Sequence, residues 1–309
     1  MARGRVAAFP SRDWIAMTAS LAPIVRQWRM LLLIGPPVVL FVLVFAIPVL
    51  ILLAGSFEKM DMATYRIVEW PTLANYTKFL ASPFYLVVLW DTVRISALVT
   101  LACVLTGYPV AFHLNRCGSK EQQILTLLIV SPLLVSLVIR SFGWLIVLGR
   151  RGLVNSALMS AGLTERPLQL IHTEFAVVVG LAHVFWPFMV LSIFAALRNI
   201  DARTVSAARN LGASPSMAFR RITLPLSLPG VLAGSIIVFA LSVSSFVTPA
   251  ILGGPWVKML AMLAYEQTVT VLDWGFGATI SVILLVVTLA LIWLSTMFAT
   301  RGSAMRPYG

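Results

Sequence analysis

The chain alternates between long apolar runs and short polar connections. Six runs, near residues 31–56, 86–114, 122–149, 173–197, 229–252 and 277–300, match or exceed the length that crosses a bilayer, about 20 apolar residues as a helix. Backbone groups in hydrocarbon must be satisfied within the segment, so spans of this length are helices. The ten-residue alternation of a membrane barrel is absent. The pattern predicts an all-α integral membrane protein with six transmembrane helices.

One polar connection is longer and more ordered than the others. Residues 199–228 contain "SAARNLGASPSMAFRRITLP", from Ser206 to Pro225. Asp201 is placed to cap a helix running to about Leu211, because its carboxylate can accept from free N–H groups of the first turn. Gly212 suits the left-handed position that ends many helices. Ser214-Pro215 then restarts a helix, with Ser as cap and Pro at the first helical position. Pro225 is expected to stop it, and Pro229-Gly230 to open the fifth span. The prediction is two short helices joined by a tight glycine turn and carrying Arg203, Arg209, Arg220 and Arg221. On pattern alone, such a pair either rests on lipid phosphates or receives a protein partner. Ala207, Ala208 and Gly212 have side chains too small to hold a partner off.

Composition agrees with membrane as the main solvent. Of 309 residues, 60% are hydrophobic and 11% charged, against roughly a quarter charged in a soluble domain. Of the 23 Lys and Arg residues, 14 fall on the side of the two termini and the 199–228 loop. Another 7 fall on the opposite side, and 2, Arg94 and Arg140, lie inside spans. Basic residues collect on the cytoplasmic side, so both termini and the loop are predicted there. The net charge of +12 is thus a topology signal and gives no support to nucleic-acid binding. Residues 1–30 read as a basic cytoplasmic extension on anionic lipid. The apolar run after them is too long for a signal peptide and lacks a small-residue cleavage site. The remaining divisions are a transmembrane domain over 31–300 and a cytoplasmic tail over 301–309. Cys103 and Cys117 imply no disulfide framework.

Candidate chemistry is sparse. No Gly-x4-Gly-Lys-Ser/Thr phosphate loop exists, so ATP hydrolysis is not expected of this chain. His113, His172 and His183 are too scattered for a metal site, and no catalytic constellation emerges. Ionisable residues within spans are functional candidates by default. Asp91 and Arg94 either neutralise each other along one helix face or face a solute. Arg140 either snorkels or pairs with a helix end, or lines the translocation cavity, and His183 reads as a packing residue. Glu174, Glu266 and Asp273 lie near the outer face, where a cationic solute would seek acids and where solvated loop charges are also common. Trp144, Trp186, Trp256 and Trp274 are either belt residues at the membrane interface or faces for a cation. Ser242, Ser244, Ser245 and Thr248 read mainly as helix–helix hydrogen-bonding groups, with one or two turned to a cavity. The substrate-path candidates are Asp91, Arg140, Trp144, Trp186, Ser245 and Glu266.

Ala207-Ala208, three residues, Gly212, nine residues, then Ile222-x-Leu224-Pro225 resembles the cytoplasmic signature loop of binding-protein-dependent ABC importer permeases. "TVRISALVTLACVLTGYPVAFHL" (92–114), "LVIRSFGWLIVLGRRGLVN" (137–155), "HVFWPFMVLSIFAALRNID" (183–201) and "FVTPAILGGP" (246–255) resemble the spermidine/putrescine-type branch, over a permease core of about 85–301. The resemblance implies a type I ABC importer permease fold in a bacterial inner membrane, working by alternating access. It also implies a second permease subunit, an ATPase dimer holding ATP and Mg, a periplasmic solute-binding protein, and a polyamine or related small organic solute. ATPase coupling would then fall to Ser206, Ala207, Ala208, Gly212, Ile222, Leu224 and Pro225. The family signature begins Glu-Ala-Ala, so Ser206 stands where a carboxylate is usual and cannot form its ion pair.

Two other classes remain open on sequence. An ion-coupled secondary transporter would need membrane-embedded carboxylates or broken helices at repeat-related positions, and none stands out. A membrane scaffold without transport would show no solute-stimulated ATPase activity.

Overall fold

A computed structural model describes residues 34–61 and 63–304 of the chain. The expected basic extension over 1–30 and the last residues of the tail, 305–309, lie outside the described residues. The chain divides into two compact units, residues 1–54 and 55–309. In the first, helix α1 (Ile34–Gly55) has the length and apolarity of a membrane span and contains a π-helical turn at Val42–Ala46.

The second unit opens with a two-stranded ribbon that the apolar pattern does not signal. Strand β1 (Lys59–Asp61) pairs antiparallel with β2 (Arg66–Glu69), with Met60 opposite Ile67 and Asp61 opposite Arg66. A short helix α2 (Ala74–Ala81) leads into α3 (Pro83–Leu114), the second span. Next come α4 (Ser119–Val130), a 3-10 turn (Ser131–Leu134), α5 (Leu137–Val147) and α6 (Leu153–Ser160). The fourth span is α7 (Glu174–Arg198), and α8 (Ala202–Asn210) follows it. Helix α9 (Pro215–Val243) is the fifth span. Two short helices, α10 (Val247–Leu252) and α11 (Leu260–Tyr265, running into a π-turn at Glu266–Thr270), precede α12 (Trp274–Ala304).

Five helices are therefore unbroken spans, and the sixth expected span differs from the prediction. Residues 122–149 do not form one rod: Ser119–Leu134 and Leu137–Val147 meet at 97°. Pro132 lacks the N–H a continuing helix needs, so the chain tightens into a 3-10 turn. Val135 and Ser136 then take extended ψ values of 138° and 136° before α5 restarts.

The fifth span departs in two ways. Pro225 does not stop a helix, because α9 runs from Pro215 through Pro225 and Pro229 to Val243. The π-turn Phe219–Thr223 lets Leu224 N–H reach back five residues to Phe219 O, and the next position is the proline, which has no N–H to place. The second short helix is thus the beginning of the span itself. At the other end the helix stops at Val243 instead of near 252, and the chain breaks at 244–246 before α10. Pro249 cannot donate to residue 245, as an unbroken helix would require. The restart puts it in the first turn of α10, where the N–H is not needed.

Helices α3, α7 and α9 pack on one another and carry the core. Its buried residues include Ile95, Val99 and Cys103 from α3, Leu181, Met189 and Ile193 from α7, and Val238 from α9. Small residues set the closeness, as in other membrane helix pairs. A Cβ at Gly230 would run into the Ala196 side chain and lie 2.7 Å from the Ser192 carbonyl oxygen. A second cluster joins Phe79, Val88, Leu260, Leu263, Phe276 and Ile280, from α2, α3, α11 and α12.

Candidate functional site

The segment between α7 and α9 is closed by hydrogen bonds at every joint. Asp201 Oδ1 accepts from the Arg203 N–H at 2.8 Å, capping α8. At its end, Ala213 N–H reaches Ala208 O and Gly212 N–H reaches Arg209 O, both at 3.0 Å. These two bonds form a Schellman closure, which needs a left-handed residue just past the helix; Gly212 supplies it with φ +89°. Ser214 Oγ then accepts from Met217 N–H at 3.3 Å and caps the first turn of α9.

The seven residues singled out here fall into two groups. Ser206, Ala207 and Gly212 are exposed and Ala208 is half-buried, so they form a small-residue tip. Leu211 beside them is 90% exposed, although its character as an apolar residue gave no sign of it. Ile222, Leu224 and Pro225 are half-buried within α9. The first group is open to solvent beside the Gly212 turn, and the second lies at the π-turn and the start of the regular helix that follows it.

The substrate-path candidates do not converge on one point. Trp144, Trp186, His183 and Thr106 line a cavity of about 290 Å³ between α3, α5 and α7. The Trp144 indole N–H donates to His183 Nδ1 at 3.1 Å, and the two rings meet edge to face at 5.7 Å. Arg140, one turn before Trp144, holds its Nε and Nη1 buried without a hydrogen-bond partner among the described residues. Ser245 is buried at the α9–α10 break. Of its neighbours, Ser242 and Ser244 return hydrogen bonds to Val238 O and Ala240 O. Thr248 and Ser141 share one at 3.1 Å that ties α10 to α5.

The acids near the ends of the spans are paired with bases. Arg94 reaches Asp91 at 3.7 Å, and it also holds Glu174 at the start of α7 through Nη2 and through Nε at 3.0 Å. The Asp91–Arg94 pair read from helical spacing is thus the weaker half of a three-residue cluster joining two spans. Glu266 pairs with Lys258 at 3.2 Å. Asp273 lies 3.8 Å from Lys78 Nζ and accepts from Phe276 N–H at 3.0 Å, closing the first turn of α12. These partners lie 80, 8 and 195 positions apart, so helical spacing could suggest none of them.

Comparison with known proteins gives a consistent result. Residues 30–302 match the family model described as "Binding-protein-dependent transport system inner membrane component". The chain is 34% identical over 248 residues to the spermidine/putrescine transport system permease protein PotB of Haemophilus influenzae, covering 80% of this chain and 86% of that one. It is 33% identical over 246 residues to the PotB protein of Escherichia coli, covering 80% and 89%. Among solved structures, a bacterial ABC transporter involved in import of the acidic polysaccharide alginate superposes with a TM-score of 0.75 at 17% identity. That match covers 92% of this chain and 99% of the other, and it shows a common fold.

Proposed function

The chain belongs to the family of binding-protein-dependent transport system inner membrane components, and from that premise we propose that it carries a polyamine, or a closely related small organic solute, across a bacterial inner membrane. It is the permease subunit of an ABC importer, with ATP hydrolysis residing on a separate subunit. Family membership sets aside both the ion-coupled secondary transporter and the scaffold. A second permease subunit would complete the path, an ATPase dimer holding ATP and Mg would drive it, and a periplasmic binding protein would deliver the solute. Both termini and the α8–α9 turn would face the cytoplasm.

One observation carries the coupling half of this reading. The signature spacing folds into a capped helix, a Schellman turn and a second helix continuous with a membrane span. A body gripping the exposed Ser206–Gly212 tip would thereby act on α9 through the Gly212 turn and the π-turn at Phe219–Thr223. The missing carboxylate at Ser206 leaves this half of the importer with a weaker dock than a Glu-bearing partner would have.

The solute half rests on similarity to the PotB proteins across most of both chains. The Trp144 and Trp186 indoles at the cavity between α3, α5 and α7 fit it, since an ammonium over an indole face gains about 0.5–2 kcal/mol. Asp91 and Glu266 would serve through their ion pairs, opening to a cation only when those pairs exchange. The test is uptake of labelled spermidine and putrescine by a strain lacking its own polyamine importers, supplied with this permease, its partner permease, ATPase and binding protein. ATP-dependent, saturable uptake of either is expected. An assembled complex that imports neither would overturn the polyamine assignment.

A further inference from the structure

Phe219 opens the π-turn at which the α8–α9 connection becomes membrane helix, and its ring is wedged against α3. It meets the Phe112 ring edge to face, with centroids 5.1 Å apart at 76°, and the Tyr108 ring at 5.9 Å and 81°. Tyr108 and Phe112 are four residues apart and so present one face of α3. Arg116, four further on, lays its guanidinium 4.0 Å from the Phe112 centroid. The Tyr108 hydroxyl is 2.8 Å from Ser227 Oγ, and Ser227 is fully buried. Ser227 gives its own proton to Leu224 O at 2.9 Å, so Tyr108 is the donor to Ser227. The rings thus join α3 to α9 on both sides of the π-turn, at Phe219 and at Ser227.

This arrangement has a mechanical consequence. A π-turn interrupts the regular hydrogen-bond ladder and is one of the places where helices kink. Displacement of the tip could be absorbed there by local bending. Two edge-to-face contacts and a buried hydroxyl pair oppose that bending, because aromatic pairs hold a preferred geometry beyond the area they bury. Ala218 and Thr223, at the two ends of the turn, are buried, while Arg220 and Arg221 are exposed. Within the turn, Phe219 is the aromatic side chain that reaches α3.

We propose that Phe219 is a positioning residue for coupling: its ring, held by Phe112 and Tyr108, passes displacement of the Ser206–Gly212 tip to α3 as well as to α9. The inference rests on the reading that the tip docks on the ATPase, and it is tested separately from that reading. The complete importer is reconstituted in proteoliposomes with its binding protein, and solute imported is measured against ATP consumed, together with the amount of ATPase co-purifying. Phe219→Ala should assemble normally and hydrolyse ATP, with at least tenfold less solute imported per ATP. Phe219→Tyr, which keeps the ring, should restore the ratio, and Phe112→Leu should lower it in the same direction. Should the Ala variant fail to insert, Phe219→Leu, which keeps most of the bulk without the ring, is read in the same way. An unchanged ratio in inserted Phe219→Ala or Phe219→Leu overturns the proposal, as does a loss of assembly that lowers hydrolysis and import in proportion. Loss of ATPase binding on disrupting the Gly212 turn would still support the docking reading in either case.

Discussion

The indole N–H of Trp144 donates to Nδ1 of His183 across 3.1 Å, joining α5 to α7 at the cavity between α3, α5 and α7. With Nδ1 accepting, a neutral imidazole carries its proton on Nε2. One bond therefore fixes the tautomer of a membrane-embedded histidine and turns the Trp144 ring.

Separating the two roles of Trp144 takes two substitutions. Trp144→Phe removes the donor and keeps a ring, and a hydrogen bond between membrane helices contributes about 0.6 kcal/mol, at most about 1.7. A small fall in thermal stability with most uptake retained is expected. Trp144→Ala also removes the face, so apparent solute affinity should fall by the cation–π contribution of about 0.5–2 kcal/mol. Equal uptake constants for the Ala variant and the wild type would exclude Trp144 from the path.

Gly230 is a point of close packing between α9 and α7. A side chain there meets Ala196 and the Ser192 backbone, neither of which can rotate away. Forcing atoms into a packed core costs about 1–3 kcal/mol, so Gly230→Val should lower the melting temperature in detergent by several degrees. Gly143→Val, inside α5, is the control, because a Cβ at Gly143 has nothing within 4 Å. Equal melting temperatures for the two variants would contradict close packing at Gly230.

Asp201 tests whether α8 must be ordered before it docks. Loss of an N-cap costs about 1 kcal/mol, so Asp201→Ala should weaken ATPase binding several-fold, and Asp201→Asn should recover most of it. A titration of purified ATPase against the reconstituted permease reads both.

Some of this was legible in the residues and some was not. The caps at Asp201 and Ser214 and the turn at Gly212 were readable because each depends on one residue and its immediate neighbours. The fate of the prolines was not. Pro225 and Pro229 are helix breakers by local rule, yet Pro225 follows directly on a π-turn and Pro229 lies within the helix that continues to Val243. Pro132 and Pro249 do accompany breaks, inside runs that hydropathy alone joins into single spans. The ion pairs of Arg94, Lys78 and Lys258 required helices to be brought together, so the acids they hold looked available to a solute. The ribbon at 59–69 has too few apolar residues to leave a mark on the hydropathy pattern.

Orientation is open to direct measurement. In a background with Cys103→Ala and Cys117→Ala, Asn210→Cys should react with a membrane-impermeant maleimide only from the cytoplasmic side. Glu165→Cys should react only from the opposite side. Labelling of position 165 from the cytoplasm would contradict the arrangement drawn from the distribution of Lys and Arg.

The claim on which the account turns is that the Gly212 closure presents the tip to the ATPase. A Cβ at 212 has open space around it, and the position has φ +89°, so only the backbone conformation is at stake. Asn visits left-handed conformations and a β-branched residue does so at high cost. The decisive measurement is solute uptake and ATPase co-purification for Gly212→Asn and Gly212→Val, both matched for membrane insertion. The Asn variant should keep most of its uptake and bound ATPase, and the Val variant should lose both. Wild-type uptake by correctly inserted Gly212→Val would contradict that claim.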